Sequence, residues 1–190
     1  MKRTLGLLLL VGVMLFSVVA VNANGKVILS EDFSAKDLET FYSAAYKSLP
    51  NDSSKPLYIA TGGECVIKDG TFTLGNSRFT IGALDKAPTS ASSTPGGVLD
   101  LSKPYKISFK ILEVDGNMAK KLQIYVDNNT TGMANSPHGG ASRVVSVELS
   151  QLKPGPFEVT PAVGTANSFI QLRVESEGSV VIDDLVIEYL

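Results

Sequence analysis

From Tyr105 to Ile111 every second residue is apolar: Tyr105, Ile107, Phe109 and Ile111 face one way, while Lys106, Ser108 and Lys110 face the other. A period of two belongs to a β-strand with one buried face, and no helix satisfies it. The pattern recurs in Leu122, Ile124 and Val126 against Gln123, Tyr125 and Asp127, and in Ile170, Leu172 and Val174 against Gln171, Arg173 and Glu175. Val145, Val147 and Leu149 make a fourth strand of this kind. Shorter candidates lie at 26–29, 57–61, 64–68, 71–75, 78–82, 98–101, 157–160 and 179–189, bounded by Gly, Pro, Asn and Ser clusters. Asp69-Gly70 suits a two-residue hairpin, because both positions tolerate positive φ. About ten short strands without amphipathic helices between them predict an all-β fold, an antiparallel β-sandwich.

The alternation slips phase twice, after Ile111, where Leu112 and Val114 become the apolar positions, and again around Asp183. A bulge does this and bends the sheet. At most one short helix is expected, over 35–48, with Ser34 as N-cap, Asp37 three residues on, and Leu38, Phe41, Tyr42 and Ala45 at helical spacing. Longer polar loops are expected at 47–56, 83–97 and 127–142, where a rigid sandwich usually carries its binding groups.

Residues 1–23 read as a signal peptide: Lys2 and Arg3 precede an apolar run from Leu5 to Val21, with small or apolar residues before a cleavage point after Ala23. The run falls short of the ~20 residues that span a bilayer, so no membrane attachment is expected after cleavage. A single domain over 24–190 follows, secreted or periplasmic. Losing Lys2 and Arg3 takes the formal net charge of -2 to -4, which leaves no basic field for nucleic acid. One Cys excludes an internal disulfide or a paired-thiol metal centre, and Cys65, between apolar neighbours, reads as a small buried residue. The single histidine, His138, excludes a His-rich metal site, and phosphate-binding glycine loops and the common hydrolase motifs are absent. These counts lean away from an enzyme.

The segments EDFSAKDLETFYSAAYKSLPNDSSKPLYIATGG (31–63), GGVLDLSKPY (96–105), YVDNNTTG (125–132), SPHGGASR (136–143), SFIQLRVES (168–176) and VIDDLVIEY (181–189) carry a resemblance. Together they resemble the non-catalytic β-sandwich module appended to secreted bacterial pectate lyases, and more generally jelly-roll carbohydrate-binding modules. The resemblance implies a jelly roll that binds a pectin-like, uronate-containing polysaccharide alongside a polysaccharide-degrading enzyme. The large parallel β-helix that carries lyase chemistry in those enzymes has no counterpart in this sequence, so lyase activity is not implied.

A jelly roll sets its first and last strands side by side, which brings Asp32 toward Asp183. Related jelly rolls are similar in carrying a structural Ca²⁺ at this junction, and the resemblance implies Asp32 and Asp183 as its side-chain ligands. The plain alternative is that these acids cap strand ends. Gln123, Tyr125, Gln171 and Arg173 occupy the polar faces of the central strands, where on an exposed sheet a tyrosine stacks on a sugar and Arg and Gln bind carboxylates and hydroxyls. An ordinary solvated face with pairs such as Arg173 with Asp127 is the alternative. Asn128, Asn129, His138 and Arg143, in a glycine-bracketed loop, could grip a carboxylated sugar or serve only as turn residues. Tyr42, Tyr46 and Tyr58 offer an aromatic rim or core packing. Two other readings stay open: a structural or adhesive envelope protein without a glycan site, and a small jelly-roll polysaccharide lyase using His138 and Tyr125 beside Gln123 and Arg173.

Overall fold

Two antiparallel sheets pack face to face in the computed structural model, which describes residues 26–34, 48–49, 52–56, 58–61, 64–76, 78–82, 97, 99–127 and 141–190. The strands are β1 (Val27–Glu31), β2 (Ser48–Leu49), β3 (Asp52–Pro56), β4 (Tyr58–Thr61), β5 (Glu64–Lys68), β6 (Thr71–Gly75), β7 (Arg78–Ile81), β8 (Tyr105–Gly116), β9 (Lys121–Asp127), β10 (Ala141–Glu148), β11 (Gly155–Val159), β12 (Ile170–Val174) and β13 (Gly178–Tyr189). The first sheet runs β11-β8-β13-β6-β5, with β1 also on β13, and the second runs β10-β9-β12-β7-β4. This is the antiparallel sandwich expected from the alternation, consistent with the jelly roll that the resemblance implies. The one helical element among the described residues is a 3-10 turn at Leu149–Gln151.

The alternation works as read. Ile107, Phe109 and Ile111 of β8, Phe72 and Leu74 of β6, and Val180, Ile182 and Ile187 of β13 turn into one core with Leu122, Ile124, Phe79, Ile170 and Leu172 of the opposite sheet. Phe72 stacks on Phe33 at 5.1 Å between ring centroids and meets Phe79 across the sandwich at 4.5 Å. Cys65 is buried, as its neighbours suggest.

Both phase slips are bulges. In the β8–β13 ladder Val181 pairs Glu113 and Ile182 pairs Ile111, so Leu112 is the extra residue. Further along, Asp183 pairs Lys110 and Val186 pairs Ser108, and Asp184 takes a positive φ of 52° in the gap. The second bulge has a topological use: β6 pairs Ser179–Ile182 before it and β1 pairs Leu185–Glu188 after it, on the same flank of β13. The Asp69-Gly70 turn has φ of 51° and 74°, the primed hairpin geometry expected for β5–β6.

Three expectations need correction. Of the strand expected over 98–101, the described residues 99–101 form only a single bridge, Leu99 with Ser168, and Asp100 Oδ1 then accepts from both the N–H and the hydroxyl of Ser102, bending the chain away. Gly97 lets this segment close on its partner, because a β-carbon there would lie 1.6 Å from the Ser168 carbonyl oxygen. Residues 47–56, expected as a loop, contain β2 and β3, which pair by backbone bonds and so leave no apolar period to read. The last described strand of the fourth alternating run starts earlier and stops earlier than read, at Ala141–Glu148, with Leu149 turning into the 3-10 element. The expected helix falls on residues outside the described set, apart from Ser48 in β2, as do the signal peptide and most of the loops at 83–97 and 127–142. Among the described residues no helix is long and apolar enough to cross a membrane.

One surface cluster ties the β8–β9 turn to the β12–β13 turn. Glu177 Oε2 accepts from Asn117 Nδ2 at 3.3 Å and lies 3.3 Å from Lys120 Nζ, and these partners, Asn117 first, hold its pKa below the ordinary carboxylate value. A folded-state pKa lowered in this way adds stability above the unfolded value, and that stability is lost as pH falls through the lowered one. Glu177→Gln is therefore expected to lower the melting temperature slightly at neutral pH, with the difference closing below the carboxylate range; paired thermal melts check this.

Candidate functional site

The sheet of β10, β9, β12, β7 and β4 turns Leu122, Ile124, Val126, Ile170, Leu172, Val174, Phe79 and Ile81 into the core. The alternate residues occupy its other face, and strand register sets them in two rows. In the first, Arg143 of β10 lies opposite Tyr125 of β9, Tyr125 opposite Gln171 of β12, and Gln171 opposite Thr80 of β7. In the second, Ser146 lies opposite Gln123, Gln123 opposite Arg173, and Arg173 opposite Arg78. Gln123, Tyr125, Gln171 and Arg173 are thus brought together, as expected from their strand positions. The alternative pairing of Arg173 with Asp127 fails on register, since Gln123 is the residue opposite Arg173.

Hydrogen bonds organise the second row around one amide. Gln123 Oε1 accepts from Arg173 Nη1 at 3.0 Å and from the Tyr125 hydroxyl at 3.1 Å, while Gln123 Nε2 donates to Glu175 Oε1 at 3.3 Å. A guanidinium is only a donor, so the amide must present oxygen to it and nitrogen to the carboxylate; the amide orientation is settled by its partners. Arg173 is held by this amide, with most of its five donors left over among the described residues. Among the described residues no carboxylate lies within ion-pair distance of Arg173 or of Arg143. Arg143 is exposed at the end of its row.

The face departs from expectation in its burial. Tyr125 is 2% exposed, Gln123 3% and Gln171 1%. The ring of Tyr125 is therefore no open stacking platform: its hydroxyl serves Gln123, and the tyrosine positions the arginine through that amide. A polar row tolerates burial when its groups satisfy one another. One atom escapes this. Gln171 Nε2 donates to Thr80 Oγ1 at 3.0 Å, but Gln171 Oε1 is buried without a hydrogen-bond partner.

Sequence reading missed Arg78 and Thr80. Burial, and next the like charge of Arg173, lower the Arg78 pKa, with Tyr125 opposing. Their signal was present in the polar-apolar order Arg78, Phe79, Thr80, Ile81. What the sequence lacked was the information that β7 pairs β12.

Of the remaining candidates, Asn128, Asn129 and His138 lie outside the described residues, as do the side chains of Tyr42, Tyr46 and Tyr58. At the β1–β13 seam Asp32 Oδ1 accepts from the Ser34 N–H at 3.1 Å and its hydroxyl at 2.8 Å, and Asp183 Oδ1 accepts from the Asp184 N–H at 2.7 Å. Among the described residues no group of three His, Cys, Asp or Glu could hold a metal.

No protein-family model and no curated protein matches the sequence. Among solved structures the chain is similar to the CBM22-1 xylan-binding domain of Paenibacillus barcinonensis Xyn10C, at 12% identity and a TM-score of 0.45 over 86% of this chain and 94% of that one. It is similar to a mutant carbohydrate binding module of family 29, at 13% identity and a TM-score of 0.43 over 80% and 91%. It is also similar to a cleaved adhesin domain of Lys-gingipain from Porphyromonas gingivalis w83, at 12% identity and a TM-score of 0.42 over 87% and 99%.

Proposed function

We propose that this chain is an exported, non-catalytic carbohydrate-binding β-sandwich that recognises an acidic polysaccharide, polygalacturonate first, and works alongside a polysaccharide-degrading enzyme outside the cytoplasm. The observation that carries the reading is the gathering of Arg78, Arg173 and Arg143 on one polar sheet face, with Gln123 and Tyr125 holding Arg173. A guanidinium fork matches a carboxylate in shape and charge, whereas a neutral sugar gives it no anionic partner.

Charge supports a local rather than a long-range attraction. The exported chain is acidic overall at -4 once Lys2 and Arg3 are removed, so a polyanion is not drawn by the net field. Screening at physiological salt leaves interactions within about 8 Å, and there the arginine rows decide. Asp32 and Asp183 have no step in this recognition.

Affinity electrophoresis through gels containing polygalacturonate tests the reading. Migration slower than that of an inert control, with and without added Ca²⁺, is the expected result, and unchanged migration in both would refute it. Incubation with the same polymer should release no ultraviolet-absorbing unsaturated product; a steady rise in absorbance would replace binding with lyase chemistry.

A further inference from the structure

Arg173, near the end of β12, and Glu175, just past it, are joined through one side chain. The Glu175 N–H donates to the Lys121 carbonyl at 3.1 Å, which carries the ladder one residue beyond β12 and keeps both side chains on the face of Gln123. Gln123 Oε1 accepts from Arg173 and Gln123 Nε2 donates to Glu175, so a single amide sets the spacing of a guanidinium and a carboxylate that are not paired with each other. Among the described residues no cation lies within ion-pair distance of Glu175. Neither residue belongs to the buried middle of the face: both are half-buried and keep part of their surface in solvent. A carboxylate in this position repels the polyanion that its arginine neighbours attract. It has one use there, because an ionised carboxylate is an acceptor only, and a uronate carries hydroxyl donors beside its own carboxylate. Two residues along a strand are separated by about 6.6 Å, a span comparable with that of one pyranose ring.

The geometry points to a subsite that reads a single uronate residue at two ends, its carboxylate on the Arg173 guanidinium and one ring hydroxyl donating to Glu175. It rests on the acidic-glycan reading above and adds to it a requirement for a free hydroxyl. Gln123 is the positioning residue for both contacts, and Arg78, opposite Arg173, adds a second positive charge at the carboxylate end. An ester on the sugar carboxylate removes the first contact, and an O-acetyl group on the hydroxyl removes the second.

Calorimetric titration of galacturonate oligomers, unmodified and O-acetylated on the ring, into the unaltered chain and Glu175→Gln tests this. Glutamine keeps an oxygen for the Gln123 amide and removes the charge, so the melting temperature should hold. The sign of the change in affinity then separates two roles. A carboxylate that only borders the site opposes a polyanion, and its removal tightens binding. A carboxylate that takes a hydroxyl loses a charge-assisted bond, so Glu175→Gln should bind the unmodified oligomer about tenfold more weakly. Acetylation should weaken binding by the unaltered chain and change little for the variant. Affinity of the variant equal to or above that of the unaltered chain, or equal affinity of the unaltered chain for both oligomers, would overturn the subsite while leaving acidic-glycan binding intact. No binding of either oligomer by the unaltered chain would overturn both. The acetylation comparison needs only the unaltered chain and so decides the matter even if the variant folds poorly.

Discussion

Phe72→Ala is expected to lower the unfolding free energy by about 3–5 kcal/mol, a large share of the ~5–15 kcal/mol that holds a domain together. Phe72 is fully buried and lies between Phe33 and Phe79, at 5.1 and 4.5 Å between ring centroids. Phe79 belongs to the opposite sheet, so the ring joins the two layers as well as filling space. Truncation leaves a void that the surrounding sheet backbone, held by ladders on both sides, closes only in part. Phe72→Leu retains most of the volume and should cost markedly less. The chain has no Trp, so denaturant curves are best followed by circular dichroism. A loss below about 1 kcal/mol for the alanine variant would contradict this packing.

Arg173→Gln is expected to weaken binding of polygalacturonate by about 10–100-fold, the range given by losing a charge-assisted hydrogen-bonded contact of ~1.5–3 kcal/mol. Stability should change little, because Arg173 is only partly buried and its bond is to the neutral Gln123. Arg173→Lys should recover part of the affinity, since a lysine restores the charge without the planar fork. Arg143→Gln, at an exposed row end, should cost less than Arg173→Gln. The pattern matters more than any one value: a fall in affinity at Arg173 together with an unmoved melting temperature assigns the residue to recognition. A fall in both would assign it to holding the sheet.

The fold was legible because each strand states its own inward face. Tyr105 to Ile111 and Ile170 to Val174 needed no partner to declare a period of two, and the bulges at Leu112 and Asp184 showed as slips of that period. The Asp69-Gly70 hairpin was legible because its turn chemistry is local. The site was legible only by strand. Gln123 and Tyr125 share a face by alternation alone, but nothing in a one-dimensional pattern says that Arg78 or Gln123 meets Arg173, since register is set by folding across about fifty to a hundred positions. Burial of the polar face was hidden for a related reason: polar alternation normally marks solvent, and here Gln123, Tyr125 and Gln171 are buried. The β2–β3 pair was silent because backbone pairing alone leaves no apolar period.

Titrating the unaltered chain with polygalacturonate and with the same polymer fully methyl-esterified, at physiological salt, tests most directly whether this arginine-bearing face recognises carboxylates. Binding of the acidic polymer that falls at least tenfold on esterification is the predicted result. Equal binding of the two polymers, or binding of neither, would contradict it.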